Sequence, residues 1–431
     1  MIKYLILTIF SLITISVYSQ TDSLYLRLPE YIYTTTSSNY SVYYNNVILT
    51  QTPEMYSYNV SCPVGYADSM RYNLDSLPVG NYGLELQIKD SLGNLLESKN
   101  TRIVVTDNNV HFPDTLKILF IGNSLTYAGI YERYCKEFLE STGNVVKLLG
   151  TQHYTVQDSI DGIFHEGRGG WTWYKFCSSL VSPFVYGDYP GVDIQRYIEE
   201  LLGGERPDVI TIFLGINDLF PYYSSSLGEI DAIIDEIFRP WSMGSLIDEF
   251  EESFPNTPIG IVLTPSANER LSPWYNYWSS IGYCFNQWDY KQKQHRLIQR
   301  YIDRYKELSK PNFSMIPVYA NIDTYNGYTE TDPLHPNLFG YEQIANSFYG
   351  WIKYQISQWM IEPQGLNIVY SANSVSLNWL PVNGATGFRI YRSTDPYLEF
   401  DEIDICTSPE YTDNDVTASN KYFYKIIAIQ E

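Results

Sequence analysis

The sequence predicts a three-layer α/β/α domain with a mostly parallel sheet, flanked by a β-sandwich module on each side. The 431 residues exceed what one hydrophobic core usually organises, so several domains are expected. Short apolar strands alternate with long helical stretches between residues 113 and 360, which is typical of a parallel sheet covered by helices on both faces. Residues 21–112 and 363–431 carry strand patterns only.

Residues 1–19 are predicted to be a cleavable signal peptide. Lys3 precedes an apolar stretch from Tyr4 to Val17, and the small residue Ser19 stands before Gln20. The stretch is shorter than the roughly 20 residues that a membrane-spanning helix needs. No lipobox cysteine follows it. We therefore expect a secreted, periplasmic or cell-surface protein that neither spans a membrane nor carries a lipid anchor.

Residues 21–112 are predicted to form the first β-sandwich. The segment is rich in Tyr, Val, Thr and Ser, and Tyr82–Ile88 alternates apolar and polar positions as a half-buried strand does. Turn signals at Val79–Asn81 and Ser91–Asn94 separate such strands.

Residues 113–360 are predicted to form the α/β domain. Pro317 falls inside its last strand and places that strand at an edge of the sheet, because proline cannot donate to the ladder. The strands are predicted at Leu116–Ile121, Val145–Leu149, Val209–Leu214, Ile259–Leu263 and Met315–Val318, and the helices at 127–141, 228–253, 288–309 and 338–360.

Residues 363–431 return to strands, at Ser374–Trp379, Gly387–Arg392 and Lys421–Ile429. This tail resembles a fibronectin type III domain, with Trp379 in an early strand and Tyr422 where the tyrosine corner would lie.

The charge of the chain argues against nucleic acid as a partner. Lys and Arg number 28 against 49 Asp and Glu, which gives a formal net charge of −21, and no basic cluster is present that could follow a phosphate backbone. We interpret the acidity as favouring the solubility of an exported protein.

The five cysteines, Cys62, Cys135, Cys177, Cys284 and Cys406, are too sparse for a disulfide scaffold or a zinc site. Cys62 and Cys406 fall singly in the outer modules. A disulfide is therefore more plausible within the central three than elsewhere, and the sequence leaves open which pair forms, if any.

Two motifs in the first half of the α/β domain carry candidate chemistry. Ser124 follows the first parallel strand, at the sheet edge where ligands bind in open α/β sheets, and its backbone N–H lies at a helix N-terminus. The alternative is that Ser124 only caps the helix. Gly170 lies in the glycine-containing loop His165–Thr172 and offers a second backbone N–H, although a plain glycine turn explains the loop equally well.

Two further motifs lie downstream. Asn217 follows another buried strand, and its side-chain amide can donate to a developing oxyanion, although an Asn-Asp pair there is also an ordinary turn. His335 can act as a base if an acceptor holds its other ring nitrogen, and Asp332 stands three residues earlier in a proline-constrained loop. The alternative is a surface loop.

In this order the motifs resemble the four sequence blocks of SGNH (GDSL-like) hydrolases, over Leu116 to about Tyr354. The resemblance implies a flavodoxin-like fold with a five-stranded parallel sheet. It also implies site roles: Ser124 as nucleophile, His335 as general base, Asp332 as the residue that orients it, and the Ser124 N–H, the Gly170 N–H and the Asn217 side chain as oxyanion hole.

The chain departs from the family pattern at one position and leaves one choice open. Asn123 stands where the first block usually has aspartate. Gly169 is adjacent to Gly170 and is an alternative donor, and the spacing to Trp171 favours Gly170.

The expected activity is ester hydrolysis through an acyl-enzyme, a scheme that requires neither a metal ion nor an organic cofactor. The substrate we expect is an acetylated carbohydrate, for whose sugar rings aromatic side chains near the site would offer flat surfaces: Trp171 to Tyr174, Trp274, Tyr275 and Trp278. The alternatives are packing of these aromatics in cores, a lipid or aryl esterase with an exposed apolar rim, and an inactive glycan-binding protein. The sequence does not give the oligomeric state.

Overall fold

The structure is a computed structural model that describes residues 24–429, except 113, 188, 221–225, 282–285, 309–311, 362, 364, 372, 383–384, 397–399 and 418. The predicted signal peptide lies outside the described residues. Within the described part of the chain, every helix is too short or too polar to cross a bilayer.

The N-terminal β module contains a four-stranded, a three-stranded and a two-stranded sheet. The four-stranded sheet has the order β2-β9-β8-β5, in which β2 and β9 are parallel and the other neighbours antiparallel. The elements are β1 Tyr25–Leu26, β2 Tyr31–Thr35, β3 Ser41–Tyr43, α1 Tyr44–Val47, β4 Ile48–Leu49, β5 Ser57–Ser61, β6 Tyr66–Ala67, β7 Arg71–Asn73, β8 Gly80–Lys89 and β9 Leu95–Thr106.

The central domain has a parallel sheet of the order β11-β10-β15-β16-β17, with the short β12 paired to β10. Its strands are β10 Thr115–Gly122, β11 Val145–Leu149, β12 Glu166–Gly167, β13 Val185–Tyr186, β14 Tyr189–Val192, β15 Val209–Phe213, β16 Ile259–Val262 and β17 Phe313–Ile316. Its helices are α2 Ser124–Tyr127, α3 Ile130–Ser141, α4 Val156–Ile160, α5 Trp173–Ser178, α6 Ile194–Glu200, α7 Ile216–Leu219, α8 Leu227–Ile237, α9 Ser245–Ser253, α10 Leu271–Ile281, α11 Gln287–Leu308 and α12 Leu338–Ile361.

Alternate residues of β10 show that helices cover both faces of this sheet. Ile118 and Phe120 are buried in a core formed with α3 and α12. Leu119 and Ile121 are buried in a second core with α5, α6, α8, α9 and α11. The predicted three-layer α/β/α arrangement is therefore confirmed, and β10 is an inner strand of a sheet that is buried on both sides.

The N-terminal module is joined to the central domain by buried hydrogen bonds. Tyr40 Oη donates to the Pro317 carbonyl at 2.9 Å, and Asn46 Nδ2 donates to the Ile322 carbonyl at 2.7 Å. Helix α12 also lies against β2, where a β-carbon at Gly350 would come within 2.5 Å of the Tyr33 carbonyl oxygen. Glycine at this point of the helix therefore permits the close approach of the two elements.

The C-terminal module consists of two three-stranded antiparallel sheets around one apolar core. Trp379 is buried there, and Tyr422 Oη accepts a hydrogen bond from the Thr417 backbone N–H at 3.2 Å, the contact expected of a tyrosine corner. The strands are β18 Asn367–Ser371, β19 Ser374–Asn378, β20 Gly387–Ser393, β21 Asp401–Cys406, β22 Glu410–Asp413 and β23 Phe423–Ile429.

Three predicted element boundaries were wrong, and each error has a backbone cause. The last parallel strand lies at the sheet edge as predicted, but it ends at Ile316, before Pro317. The helix predicted over 228–253 is two helices, because Pro240 interrupts the ladder of hydrogen bonds between α8 and α9. The helix predicted over 127–141 begins after Gly129, whose φ of +68° separates α2 from α3.

The expectation of a disulfide within the central cysteines was also wrong. Cys135 and Cys177 are free thiols, and any pair drawn from the three would include one of them. Cys135 lies in the core under α3 and Cys177 in the core on the opposite face of the sheet. Burial raises the pKa of the Cys177 thiol to about 12, which makes it an unreactive core residue.

Because Glu132, in the first turn of α3, is buried, we expect the free energy of unfolding to depend on pH. Its side chain is fully buried, neither carboxyl oxygen has a hydrogen-bond partner among the described residues, and burial raises its pKa well above the ordinary value. A raised pKa in the folded state lowers stability progressively as pH rises above about 4.3, the pKa of an unperturbed glutamate. We expect Glu132→Gln to raise the melting temperature at pH 8 and to have a much smaller effect at pH 4. A pH-independent difference between the two proteins would contradict this.

Candidate active site

The turn from β10 into α2 presents Ser124 at the carboxyl edge of the sheet. Ser124 is the first residue of α2, where a backbone N–H has no partner within the helix. Asn123 caps the helix, because its Oδ1 accepts the Leu125 N–H at 3.0 Å. A β-carbon at Gly122 would collide with Thr126 Oγ1, which explains the glycine. Asparagine thus supplies the acceptor oxygen that an aspartate would supply at this position.

Asp332, His335 and Ser124 form a continuous chain of hydrogen-bonding contacts. His335 Nε2 lies 2.9 Å from Ser124 Oγ, across 211 positions of the sequence. His335 Nδ1 lies 3.0 Å from Asp332 Oδ2. The other oxygen, Asp332 Oδ1, accepts the backbone N–H groups of Leu334 at 2.8 Å and of His335 at 2.9 Å. The backbone of the loop therefore fixes the Asp332 carboxylate, and the carboxylate in turn orients the His335 imidazole.

Asp332 is ionised at neutral pH. Burial by itself would raise its pKa, but the hydrogen bonds from the His335 ring and from the two backbone N–H groups outweigh burial and hold the pKa below the ordinary value. An anionic acceptor at Nδ1 keeps the proton of a neutral imidazole on that nitrogen. Nε2 is then left as an acceptor that faces Ser124.

Asn268, which the sequence analysis missed, holds the loop that carries Asp332 and His335. Its side chain is fully buried, and Nδ2 donates to the carbonyls of Thr329 at 2.8 Å and Asp332 at 3.0 Å. Its backbone N–H donates to the Pro333 carbonyl at 3.0 Å. Asn268 lies in an irregular segment after β16, so that no periodicity or motif marked it.

We expect Asn268→Ala to lower the free energy of unfolding by about 3 kcal/mol, because two loop carbonyls would lose their donor in a buried setting. The measurement is urea denaturation at neutral pH. Asn109→Ala is the matched control: this amide is exposed, and its loss should cost no more than about 0.5 kcal/mol. Equal stability of the two variants would show that Asn268 does not support the loop.

Gly170 lies in a tight turn beside the carboxyl end of β10. The turn follows directly from β12, which pairs with the end of β10 so that Gly167 is opposite Gly122. It spans Arg168 to Trp171 and is closed by the Trp171 N–H, which donates to the Arg168 carbonyl at 3.1 Å. Gly170 occupies its third position with φ +71°, a conformation that favours glycine. The N–H of this position is not used by the hydrogen bond that closes the turn.

Asn217 is brought against the same turn. It lies in α7, which follows β15, the neighbour of β10, and its Nδ2 donates to the Trp171 carbonyl at 3.0 Å. One of the two amide hydrogens therefore orients the side chain, and the other has no partner among the residues that the structure describes. Asp218 supports this arrangement by accepting the Trp173 N–H at 3.3 Å, and burial raises its pKa to about 7.

Buried polar residues that the sequence did not single out support the Gly170 turn. Glu166 is fully buried and accepts the Thr151 N–H at 2.7 Å and the Tyr197 hydroxyl at 3.0 Å, and burial raises its pKa. His165 is also fully buried, and its Nδ1 accepts the Gly167 N–H at 3.0 Å. Burial lowers the pKa of His165 to about 4, so it is a neutral structural residue.

The predicted aromatic surface is only partly exposed. Trp173 and Trp274 are buried, and their indole N–H groups donate to Tyr301 Oη and to the Asn268 carbonyl. Packing therefore explains these two residues. Tyr174 is 55% exposed and Tyr275 is 71% exposed. The side chain of Trp278 lies outside the described residues. Within the described part of the chain, no three His, Cys, Asp or Glu side chains are grouped closely enough to hold a metal ion.

Residues 118–348 match the model of the family described as GDSL-like Lipase/Acylhydrolase. Among curated proteins, no significant match was found.

Solved structures also align with parts of the chain. A Clostridium thermocellum family 3 carbohydrate esterase aligns over 57% of this chain and 99% of its own, with 19% identity and a TM-score of 0.37. A lipase/acylhydrolase from Enterococcus faecalis aligns over 56% and 96%, with 15% identity and a TM-score of 0.31. An Fn3-like protein from Clostridium thermocellum aligns over 16% and 75%, with 32% identity and a TM-score of 0.16.

The family match begins within β10 and ends within α12, so that it includes the Ser124 turn, the Gly170 turn, Asn217 and the Asp332 loop. It covers more than half of the chain. This protein is a member of the GDSL-like lipase/acylhydrolase family, a family of ester hydrolases.

Proposed function

We propose that this chain is a serine esterase in which Ser124 Oγ attacks the ester carbonyl while His335 Nε2 takes the hydroxyl proton. The observation that carries this proposal is the chain of contacts from Asp332 through His335 to Ser124, at 3.0 and 2.9 Å. Such an arrangement activates a serine hydroxyl at neutral pH, because the imidazole accepts the proton as the oxygen forms its bond to carbon.

The remaining steps follow from the same groups. The oxyanion of the tetrahedral intermediate is stabilised by the N–H groups of Ser124 and Gly170 and by the Asn217 side chain. His335 returns its proton to the departing alcohol, which leaves an acyl group on Ser124. A water molecule then attacks this acyl-enzyme and gives a proton to His335. As the second intermediate collapses, the bond between carbon and Ser124 Oγ breaks, His335 returns the proton to Oγ, and the acid is released.

The substrate we propose is an acetylated polysaccharide or oligosaccharide met outside the cell. The predicted signal peptide and the net charge of −21 fit an exported protein. Exposed tyrosines lie near the nucleophile: Tyr127, in the same helix as Ser124, is 38% exposed and packs edge-to-face with Tyr154, which is 58% exposed, at 5.4 Å between ring centroids. Such rings offer faces on which sugars pack.

One observation favours a second candidate, an esterase for lipid or aryl esters. Leu338 and Phe339, within four residues of His335, are 62% and 45% exposed. Two adjacent exposed apolar side chains at this position are a short apolar rim of the kind that would receive an acyl chain or an aryl ring.

The test compares hydrolysis of acetylated xylan, p-nitrophenyl acetate and p-nitrophenyl octanoate by the mature chain. Acetate release from xylan, with the octanoate ester cleaved much more slowly than the acetate ester, supports the carbohydrate esterase. Preference for octanoate without action on xylan supports the second candidate. If the protein hydrolyses none of the three esters, the proposed mechanism is contradicted.

We expect Asn217→Ala to lower kcat about 10²–10³-fold with little change in KM, because an oxyanion donor acts mainly in the transition state. The measurement is steady-state hydrolysis of p-nitrophenyl acetate, accompanied by a thermal melt that checks the fold. A kcat within threefold of the wild type would remove Asn217 from the oxyanion hole.

A further inference from the structure

A cleft with a volume of about 430 Å³ lies between the N-terminal module and the central domain. Residues between 45 and 54 line one side, and residues 266–271 and 287–294 contribute to the other. The volume is within the range of small-ligand sites. Ser124, Asp332 and His335 are not among its lining residues, so the cleft is separate from the candidate active site.

The chemistry of the lining favours an uncharged ligand with many hydroxyl groups. Carboxamides both donate and accept hydrogen bonds, as hydroxyl groups do. The charged side chains, Lys291, Glu54 and Glu269, are of both signs and do not select an ionic ligand. The carboxamides of the lining are Asn45, Asn46, Gln51, Gln287 and Gln294, of which Asn46 and Gln287 each use their amide nitrogen in a hydrogen bond to a backbone carbonyl.

Gln294 contributes an acceptor that the protein leaves unused. Its side chain is fully buried, and Nε2 donates to the Thr264 carbonyl at 2.9 Å and to Ser266 Oγ at 3.3 Å, which fixes the amide. Its Oε1 has no hydrogen-bond partner among the residues that the structure describes. Buried acceptors are rarely left unpaired. Gln294 belongs to the lining of the cleft, so a ligand hydroxyl that displaced its neighbours and reached this oxygen would satisfy it.

Trp288 adds an aromatic surface to the same cleft. It is half-buried and lines the cleft beside Tyr290, whose hydroxyl is already bonded to the Pro265 carbonyl. An indole face next to hydrogen-bonding amides suits a sugar ring, which presents C–H groups on its faces and hydroxyls at its edge.

The cleft is linked to the catalytic loop through one residue. Gln287 Nε2, in the cleft wall, donates to the Asn268 carbonyl at 2.9 Å. The side chain of Asn268 in turn donates to the Asp332 carbonyl at 3.0 Å. A ligand held in the cleft would therefore lie against the segment that supports the catalytic loop.

We propose that this cleft is a non-catalytic binding site for a short, uncharged stretch of a polysaccharide. It gives the N-terminal module a role, since that module supplies one wall. The inference deepens the proposed function, on which its choice of a polysaccharide partly rests, by adding a second contact for the substrate chain. Binding in the cleft nevertheless requires no ester bond and no hydrolysis.

The test is calorimetric titration of the full chain with unacetylated xylohexaose, cellohexaose and mannohexaose. We expect at least one to bind, and Trp288→Ala to weaken that binding by at least about tenfold, with Trp288→Phe weakening it less because a ring face remains. Gln51→Ala tests the opposite wall at an exposed position. Trp241→Ala is the matched control, because Trp241 is 56% exposed and lies outside the cleft. Hydrolysis of p-nitrophenyl acetate should be unchanged in Trp288→Ala.

The absence of binding to all three sugars at millimolar concentration would overturn the proposal. Equal affinity of the wild type, Trp288→Ala and Gln51→Ala would overturn it as well. If Trp288→Ala does not fold, the comparison of Gln51→Ala with the wild type decides. If the protein binds a sugar and hydrolyses no ester, the binding site is supported and the proposed esterase activity is contradicted. If it hydrolyses esters and binds none of the sugars, the activity is supported and the binding site is contradicted.

Discussion

Alanine at position 124 is expected to lower kcat for p-nitrophenyl acetate by at least about a thousandfold, because it removes the hydroxyl that contacts His335 and that we propose forms the acyl-enzyme. Ser124 Oγ lies 2.9 Å from His335 Nε2, and removing it leaves only the oxyanion donors and substrate binding to accelerate attack by water. Acetate release from xylan should fall in parallel, since both esters use the same nucleophile.

The fold should survive this substitution, so that the loss reports on chemistry. The capping bond of α2 comes from Asn123 and is unaffected by a change at position 124. Ser141→Ala is the matched control: its hydroxyl donates to the Phe138 carbonyl at an exposed position, and kcat should be unchanged. Mass spectrometry should detect an acyl adduct on the wild type and none on Ser124→Ala. Wild-type activity in Ser124→Ala would remove Ser124 as the nucleophile.

The parallel sheet and the approach of Asp332 and His335 to Ser124 could be predicted from the sequence. Each catalytic candidate follows a strand or precedes a helix, and in a parallel sheet the carboxyl ends of the strands meet along one edge. This rule places Ser124 and Asn217 at one edge, because both follow parallel strands. Asp332 and His335 follow no strand, and it is the resemblance to the SGNH hydrolases that implies their approach to Ser124, 211 positions earlier. The same resemblance implies that Asn217 and Gly170 belong to one site.

The supporting residues could not be predicted in this way. Asn268 and Glu166 act through buried hydrogen bonds to segments distant in the sequence, and neither lies in a periodic pattern. The attachment of the N-terminal module depends on single contacts, such as Tyr40 to the Pro317 carbonyl. The expected disulfide failed for a related reason, because the sequence spacing of cysteines does not say which face of a sheet each of them occupies.

Asparagine at position 332 is expected to lower kcat about 10⁴-fold while preserving the loop, which separates the orientation of His335 from the shape of the site. Its Oδ1 can still accept the N–H groups of Leu334 and His335, now held at 2.8 and 2.9 Å. Its Nδ2 would take the place of Oδ2 and donate to His335 Nδ1. The ring proton would then lie on Nε2, which could no longer accept a proton from Ser124.

Stability measurements distinguish this reversal of the tautomer from simple damage to the loop. Asp332→Ala should be less stable than Asp332→Asn, because it leaves two backbone N–H groups without their acceptor. The lowered pKa of Asp332 stabilises the fold above about pH 4, where an unfolded aspartate is ionised, and this contribution is lost as the pH falls through the folded-state pKa. The stability difference between wild type and Asp332→Asn should therefore shrink in acid. If Asp332→Asn instead kept a tenth of the wild-type kcat, the charge of Asp332 would not be what sets the tautomer of His335, and its two backbone contacts would be its main contribution.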